Sequence, residues 1–164
     1  MCPFQPFGEN YDDANRQCYF MRCAFNEALL AWKQGEIPIG AVAVVENQIV
    51  SRAHNQVEQR QDATAHAEME IIRFLSNNRK DWRLKDVHLY VTKEPCPMCS
   101  GAIYKARISK VTIGTYDTLQ GCLGGRIHFN NTLHLYHKID VCVEPLQGLC
   151  EELINTFFKL RRNM

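Results

Sequence analysis

The sequence predicts a three-layer α/β domain, with one five-stranded mixed sheet carrying helices on both faces. Three observations support this. Segments with apolar residues near helical spacing recur along the chain, short β-branched runs alternate with them, and no repeat, low-complexity tract or linker divides the 164 residues. A chain of this length favours a single domain, because it can bury most of the apolar surface that its unfolded form exposes. The expected order is α-β-β-α-β-α-β-β-α in one domain spanning 1–164, with residues 1–15 as a poorly ordered N-terminal extension.

The first helix is expected over 16–33, where Tyr19, Phe20, Cys23, Ala24, Leu30 and Ala31 fall near helical spacing and Gly35 follows as a stop. Ala41 to Val45 and Gln48 to Ala53 read as a hairpin joined by Glu46 and Asn47, residues suited to a tight turn. A second helix is expected over 65–75, with Thr64 as N-cap and Ser76-Asn77-Asn78 as its end. Val87 to Thr92 is then a strand. Pro97 to Arg107 is a third helix, opened by a proline tolerated in a first turn. Lys110 to Tyr116 and Lys138 to Val143 complete the sheet around a loop rich in Gly and Asn, and Leu149 to Arg161 closes the chain as a helix.

Composition excludes some functions. Lys and Arg total 19 against 18 Asp and Glu, a net charge of +1, so any nucleic-acid binding must come from a local patch. The N-terminal stretch has neither a basic nor an apolar leader region, and the longest apolar run, IPIGAVAVV, is too short to span a bilayer. A cytoplasmic location is the expectation, and with it eight cysteines as reduced thiols.

Two short motifs carry the chemistry. Cys96-Pro97-Met98-Cys99 is a C-x-x-C at a turn into a helix, where unpaired N–H groups favour thiolates. A redox dithiol, an inert pair and a metal site all remain open for it. His66, with Glu68 two positions on and the C-x-x-C about thirty residues later, shifts the balance toward metal. One imidazole and two thiolates would give zinc three ligands and leave a tetrahedral position open to water, whose pKa zinc can bring to about 7. A carboxylate at Glu68 beside that position could carry protons. Its bland alternative is a helix charge stabilised by the N-terminal dipole, a role for which Glu70 is the candidate. Cys122, were it a fourth ligand, would make the site structural.

The H-x-E…P-C-x-x-C arrangement is the signature of zinc deaminases. On it, and on Glu36-Ile37-Pro38-Ile39-Gly40-Ala41-Val42, His54-Asn55, Gly114 through Asp117 and Phe157-Phe158 through Arg162, the chain resembles the cytidine-deaminase-like superfamily. Within that superfamily it is similar to the bacterial tRNA-specific adenosine deaminases. The resemblance implies a cytidine-deaminase-like fold and zinc held by His66, Cys96 and Cys99. It also implies Glu68 as proton shuttle, Asn55 as a base-contacting residue, Ile39 and Gly40 as pocket wall, and Asp117 near the substrate backbone. Its implied activity is deamination of the wobble adenosine of a tRNA anticodon to inosine by a homodimer. Deamination of a free base or nucleoside is the alternative. The chain departs from the pattern at Lys93, where many relatives carry an apolar residue, and over 121–129, where the glycines match only in part.

Weaker features have simpler readings. Lys105, Arg107, Lys110, Lys159, Arg161 and Arg162 could form a phosphate patch or a solvated surface. His128, His134 and His137 read as ordinary loop histidines, and Phe157-Phe158 as core.

Overall fold

In the computed structural model, which describes residues 2–8, 10–11, 13–132, 136–143 and 146–162, five strands form one sheet in the order β2-β1-β3-β4-β5. They are β1 (Gly40–Val45), β2 (Gln48–His54), β3 (His88–Val91), β4 (Lys110–Ile113) and β5 (Asp140–Val143). β1 runs antiparallel to β2 and β3, whereas β3 with β4 and β4 with β5 are parallel. The sheet is therefore mixed, as its sequence predicts. At the hairpin, Glu46 and Asn47 take φ of 50° and 62°, a left-handed pair whose twist matches the flanking strands.

Six helices accompany the sheet among the described residues: α1 (Arg16–Lys33), α2 (Val57–Arg60), α3 (Ala67–Arg79), α4 (Pro97–Lys105), α5 (Phe129–Thr132) and α6 (Gln147–Arg162). Strand alternation sorts side chains into two cores. Ala41, Ala43, Leu89, Val91, Val111 and Ile113 pack with Ile71 and Leu75 of α3 and Ile103 of α4. Val42, Val44 and Tyr90 face Phe20, Ala24, Phe25 and Leu29 of α1, with Cys150 and Leu153 of α6. Helices thus cover both faces, which makes the three layers. No helix among the described residues is long and apolar enough to cross a membrane, and all eight cysteines are free thiols.

Local boundaries differ from the sequence-based expectation in instructive ways. Thr64 is not the cap of α3, because its hydroxyl donates to the Asp62 carboxylate at 2.7 Å and the chain stays irregular through His66. The helix runs past Ser76-Asn77-Asn78 to Arg79, which pairs with Asp86 at 2.7 Å, and it ends at Lys80 in the left-handed conformation, φ 53°. The turns α2 and α5 have too few apolar positions to show a helical period. Residues 2–8, expected as a poorly ordered extension, lie against α1. Asn26 clamps Phe7 through both backbone groups, at 2.8 and 3.0 Å, and Phe4 and Phe7 meet the Phe25 ring edge-on.

Gly40 sets how closely α1 can approach β1. A Cβ there would lie 2.2 Å from the Ala24 carbonyl oxygen and 2.3 Å from the Ala28 nitrogen, both backbone atoms of α1 that cannot swing aside. Gly40→Val should therefore cost at least about 2–3 kcal/mol through displacement of that helix, measurable as a lowered midpoint in denaturant unfolding.

His88 contributes a pH dependence. Burial, and then the Lys110 charge, lower its pKa from 6.5 to about 4, while its Nε2 pairs with the Thr112 hydroxyl at 2.8 Å. The folded state thus favours the neutral ring. Its contribution to stability is complete above about pH 6.5 and is lost as the pH falls toward 4. Discounted for the part of the ring that stays exposed, the loss is on the order of 2 kcal/mol. Thermal unfolding from pH 7 to 4 should show a shallower decline in His88→Gln than in the parent.

Candidate active site

Beyond the carboxyl ends of β3 and β4 the chain turns into segments 92–96 and 114–129, which meet the N-termini of α3 and α4. Helix starts and strand ends of this kind are where α/β folds place ligands. His66 and Cys96 occupy equivalent positions, as the N-cap residues of α3 and α4, with extended backbones at φ −77°, ψ 152° and φ −71°, ψ 174°. Neither side chain caps its helix. His66 Nδ1 instead lies 3.7 Å from Cys96 Sγ and 3.5 Å from Cys99 Sγ. Among the described residues, these make the one group of three potential ligands whose donor atoms all lie within 4.8 Å of one another.

The donor set fits zinc. A tetrahedral ion with nitrogen at ~2.0 Å and sulfur at ~2.3 Å separates those donors by roughly 3.5 Å, close to both measured spacings. Cys122 does not close the fourth position: its Sγ turns to the Gln120 carbonyl at 3.6 Å and stands outside the group. His128 and His137 do not join a metal group either, and His134 lies outside the described residues.

The electrostatics separate the two cysteines. Cys96 is held down to about 4, first by the Cys99 thiol donating to it and then by His66, against the opposing effect of burial. The Cys99 thiol is pushed up by the Cys96 sulfur and by burial. His66 is raised above its usual range, chiefly by its hydrogen bond with Cys96. Glu68, in the first turn of α3, is 3% exposed. Burial raises its carboxyl, while its own backbone N–H and the Cys99 thiol pull the other way. A carboxyl held above its ordinary range beside a metal-binding group can both accept and return a proton. Glu70, two residues on, points outward to Arg60 and Arg73, each at 2.8 Å.

A cavity of about 410 Å³ opens on this group, lined by Ile39, Asn55, His66, Glu68, Cys96 and Asp117 with Glu36, Glu58, Lys93, Glu94, Leu119 and Phe158 among others. Asn55 is buried, and its amide donates to Glu36 Oε2 at 3.0 Å. Asp117 accepts from the Leu119 and Gln120 backbone at 2.9 and 3.1 Å and pairs with Lys93 at 2.5 Å. Gly40, expected at the pocket wall, instead packs against α1.

Two carboxylates that sequence reasoning left without a role organise the walls. Glu36 is fully buried and accepts from Asn55 and from the Glu58 and Gln59 N–H groups at 3.2 and 2.7 Å, which fastens α2 over the cavity. Glu94 accepts from the N–H groups of Asp117, Leu123 and Gly125 at 2.8, 2.6 and 2.9 Å. A Cβ at Gly121 or Gly125 would lie 2.1 Å from Glu94 Oε2, so both positions leave room for this carboxylate. The sequence signal for them was their place in the blocks Glu36-Ile37-Pro38 and Glu94-Pro95-Cys96.

The six basic residues do not form one patch. Lys159, Arg161 and Arg162 belong to α6, Lys105 ends α4 and Arg107 follows it on the opposite face of the sheet, and Lys110 opens strand β4. Arg161 is engaged with the Gly35 carbonyl and lies over the Phe157 ring. The two phenylalanines diverge as well. Phe157 is core, edge-on to Trp32 at 5.0 Å, whereas Phe158 is 39% exposed and reaches the cavity.

A histidine and two cysteines at two helix starts, with a buried glutamate beside them, define a zinc-dependent deaminase. The family model described as the cytidine and deoxycytidylate deaminase zinc-binding region matches residues 14–115, and the chain belongs to this family. It is 39% identical over 140 residues to a protein of Bacillus subtilis named tRNA-specific adenosine deaminase, covering 85% of this chain and 87% of that one. An Aquifex aeolicus protein of the same name is 39% identical over 146 residues, covering 89% of this chain and 97% of its own length. A solved structure from a study of A-to-I editing by tRNA:A34 deaminases at the wobble position superposes with a TM-score of 0.79 at 34% identity, over 83% of this chain and 99% of that one.

Removing the Glu94 carboxylate should loosen the wall it holds. Glu94→Ala leaves three backbone donors without their charged acceptor and should destabilise the fold by roughly 3 kcal/mol. Hydrogen exchange should accelerate at Asp117, Leu123 and Gly125 ahead of the core strands.

Proposed function

We propose that the protein hydrolytically deaminates the wobble adenosine of a tRNA anticodon to inosine, with His66, Cys96 and Cys99 as zinc ligands and Glu68 as the acid/base. The observation that carries this reading is the three-donor group with an open side facing a cavity that Glu68 and Asn55 also line. The near full-length similarity to tRNA-specific adenosine deaminases supports the choice of substrate.

Zinc held by the three ligands supplies a Lewis acid that makes water nucleophilic near neutral pH. Glu68 accepts a proton from the water that adds at C6 of the purine and passes it to the ring nitrogen. It then takes the second proton, from the hydroxyl now on C6, and gives it to the amino group, which departs as ammonia. Its burial keeps competing water away and holds the carboxyl ready to carry a proton. Asn55, with one amide hydrogen committed to Glu36, has its carbonyl oxygen and second hydrogen for the edge of the base. An anticodon-loop adenosine is already poorly stacked, so its extrusion into the cavity costs only a few kcal/mol. Asp117 is proposed to lie along the substrate backbone, and Ile39 to flank the base. The same reading includes a homodimer, supported by the exposed apolar side chains of Val50 and Phe74, which border one groove.

Incubation of tRNA with zinc-loaded protein should convert the wobble adenosine to a position read as G on sequencing. Adenosine that persists there, while free guanine or cytosine releases ammonia, would favour the base-deaminase alternative. Glu68→Ala should retain zinc and fold but lose about 10²–10⁴-fold in turnover. His66→Ala should lose the metal itself, read by elemental analysis.

A further inference from the structure

We infer that Lys93 binds a phosphate of the substrate strand beside the target nucleotide, exchanging Asp117 for that phosphate as the RNA docks. The inference rests on the tRNA reading above and names the group that admits a polyanion to this cavity.

The cavity is acidic. Glu36, Glu58, Glu68, Glu94 and Asp117 all line it, and Lys93 is the only Lys or Arg among its described lining residues. A nucleotide carried on a strand brings a phosphate to either side of its sugar, and each meets these carboxylates unless a cation intervenes. Glu36 and Glu94 are saturated by N–H donors, three each. Their charge is thereby spread over backbone, and they place no demand on Lys93.

Among the described residues Lys93 has one ion-pair partner, and part of its side chain is in solvent. Its ammonium meets Asp117 Oδ2 at 2.5 Å, and its side chain is 25% exposed. Asp117 does not depend on that contact for its position, because its other oxygen, Oδ1, accepts from the Leu119 and Gln120 N–H groups at 2.9 and 3.1 Å. The ion pair is therefore an addition to a carboxylate already fixed by the loop. The carboxylate is the buried end of the pair, its side chain 9% exposed, so leaving it costs more than a surface pair's contribution of about 0–1 kcal/mol. The two N–H donors to Oδ1 offset part of that cost, and a lysine on a four-carbon stem can turn to a phosphate that supplies the rest. The nearby Arg161 does not compete for the role, being engaged with the Gly35 carbonyl and the Phe157 ring.

A stem-loop RNA with adenosine at the wobble position, assayed across a range of KCl concentrations with the zinc-loaded full chain, separates this role from a purely structural one. Lys93→Met and Lys93→Gln should raise KM about tenfold with kcat changed by less than about threefold. The salt dependence of log(kcat/KM) should become shallower by roughly one phosphate contact. Lys93→Arg should restore most of the KM and the slope. Variants that keep the parental KM and slope overturn the assignment. So does a loss confined to kcat or melting temperature with an unchanged slope, which would make Lys93 only a pin for Asp117. A parent protein inactive on this RNA overturns the tRNA reading, and the Lys93 assignment falls with it.

Discussion

The constraint on which the rest of the structure depends is the meeting of two helix N-termini. α3 and α4 each begin with a residue of extended backbone whose side chain does not cap its own helix. The positive ends of two helix dipoles are thereby directed at the same small volume. A thiolate at Cys96 and a metal-directed imidazole at His66 can occupy that volume because it is positive and half closed to water. The cores on the two faces of the sheet hold the arrangement. Ile71, Leu75 and Ile103 tie both helices to the same strand face, so neither start can drift from the other without opening the core.

Buried carboxylates then extend this centre into a cavity. Glu36 and Glu94 both line it, and each gathers three N–H donors. They add side-chain anchors to the short helix α2 and to the irregular backbone over 114–128, satisfying N–H groups that the backbone's own hydrogen bonds leave over. A carboxylate with three donors is strong enough to fix a loop while remaining within the dry interior. The walls are therefore fastened by charged hydrogen bonds, and the cavity keeps its shape.

Charge within this cavity is used in distinct ways. Glu36 and Glu94 are structural, and Glu68 alone is buried against the donor group with its carboxyl raised by burial, whereas Glu70, outside the cavity, pairs with Arg60 and Arg73. Asp117 and Lys93 form the remaining pair at the mouth. Identical side chains thus carry different chemistry according to how many donors surround them and how much water reaches them, which is the general basis for acid/base assignments in active sites.

The sequence by itself determined the sheet, the four long helices, the hairpin turn at Glu46-Asn47 and the residue types at the donor group. These follow from local periodicity and from the spacing of His66, Glu68 and Cys96-Pro97-Met98-Cys99, signals carried within a few residues. Tertiary structure alone decided the direction in which each of those side chains points. It released His66 from capping, turned Cys122 away, aimed Gly40 at α1 rather than at the cavity, and separated Phe157 in the core from Phe158 at the opening. It also gave Glu36 and Glu94 their roles and docked residues 2–8 on α1. The physical reason is that such roles depend on partners twenty or more residues away, as with Glu36 and Asn55 or Glu94 and Asp117. Hydrogen bonds and burial of that range leave no periodic trace along the chain.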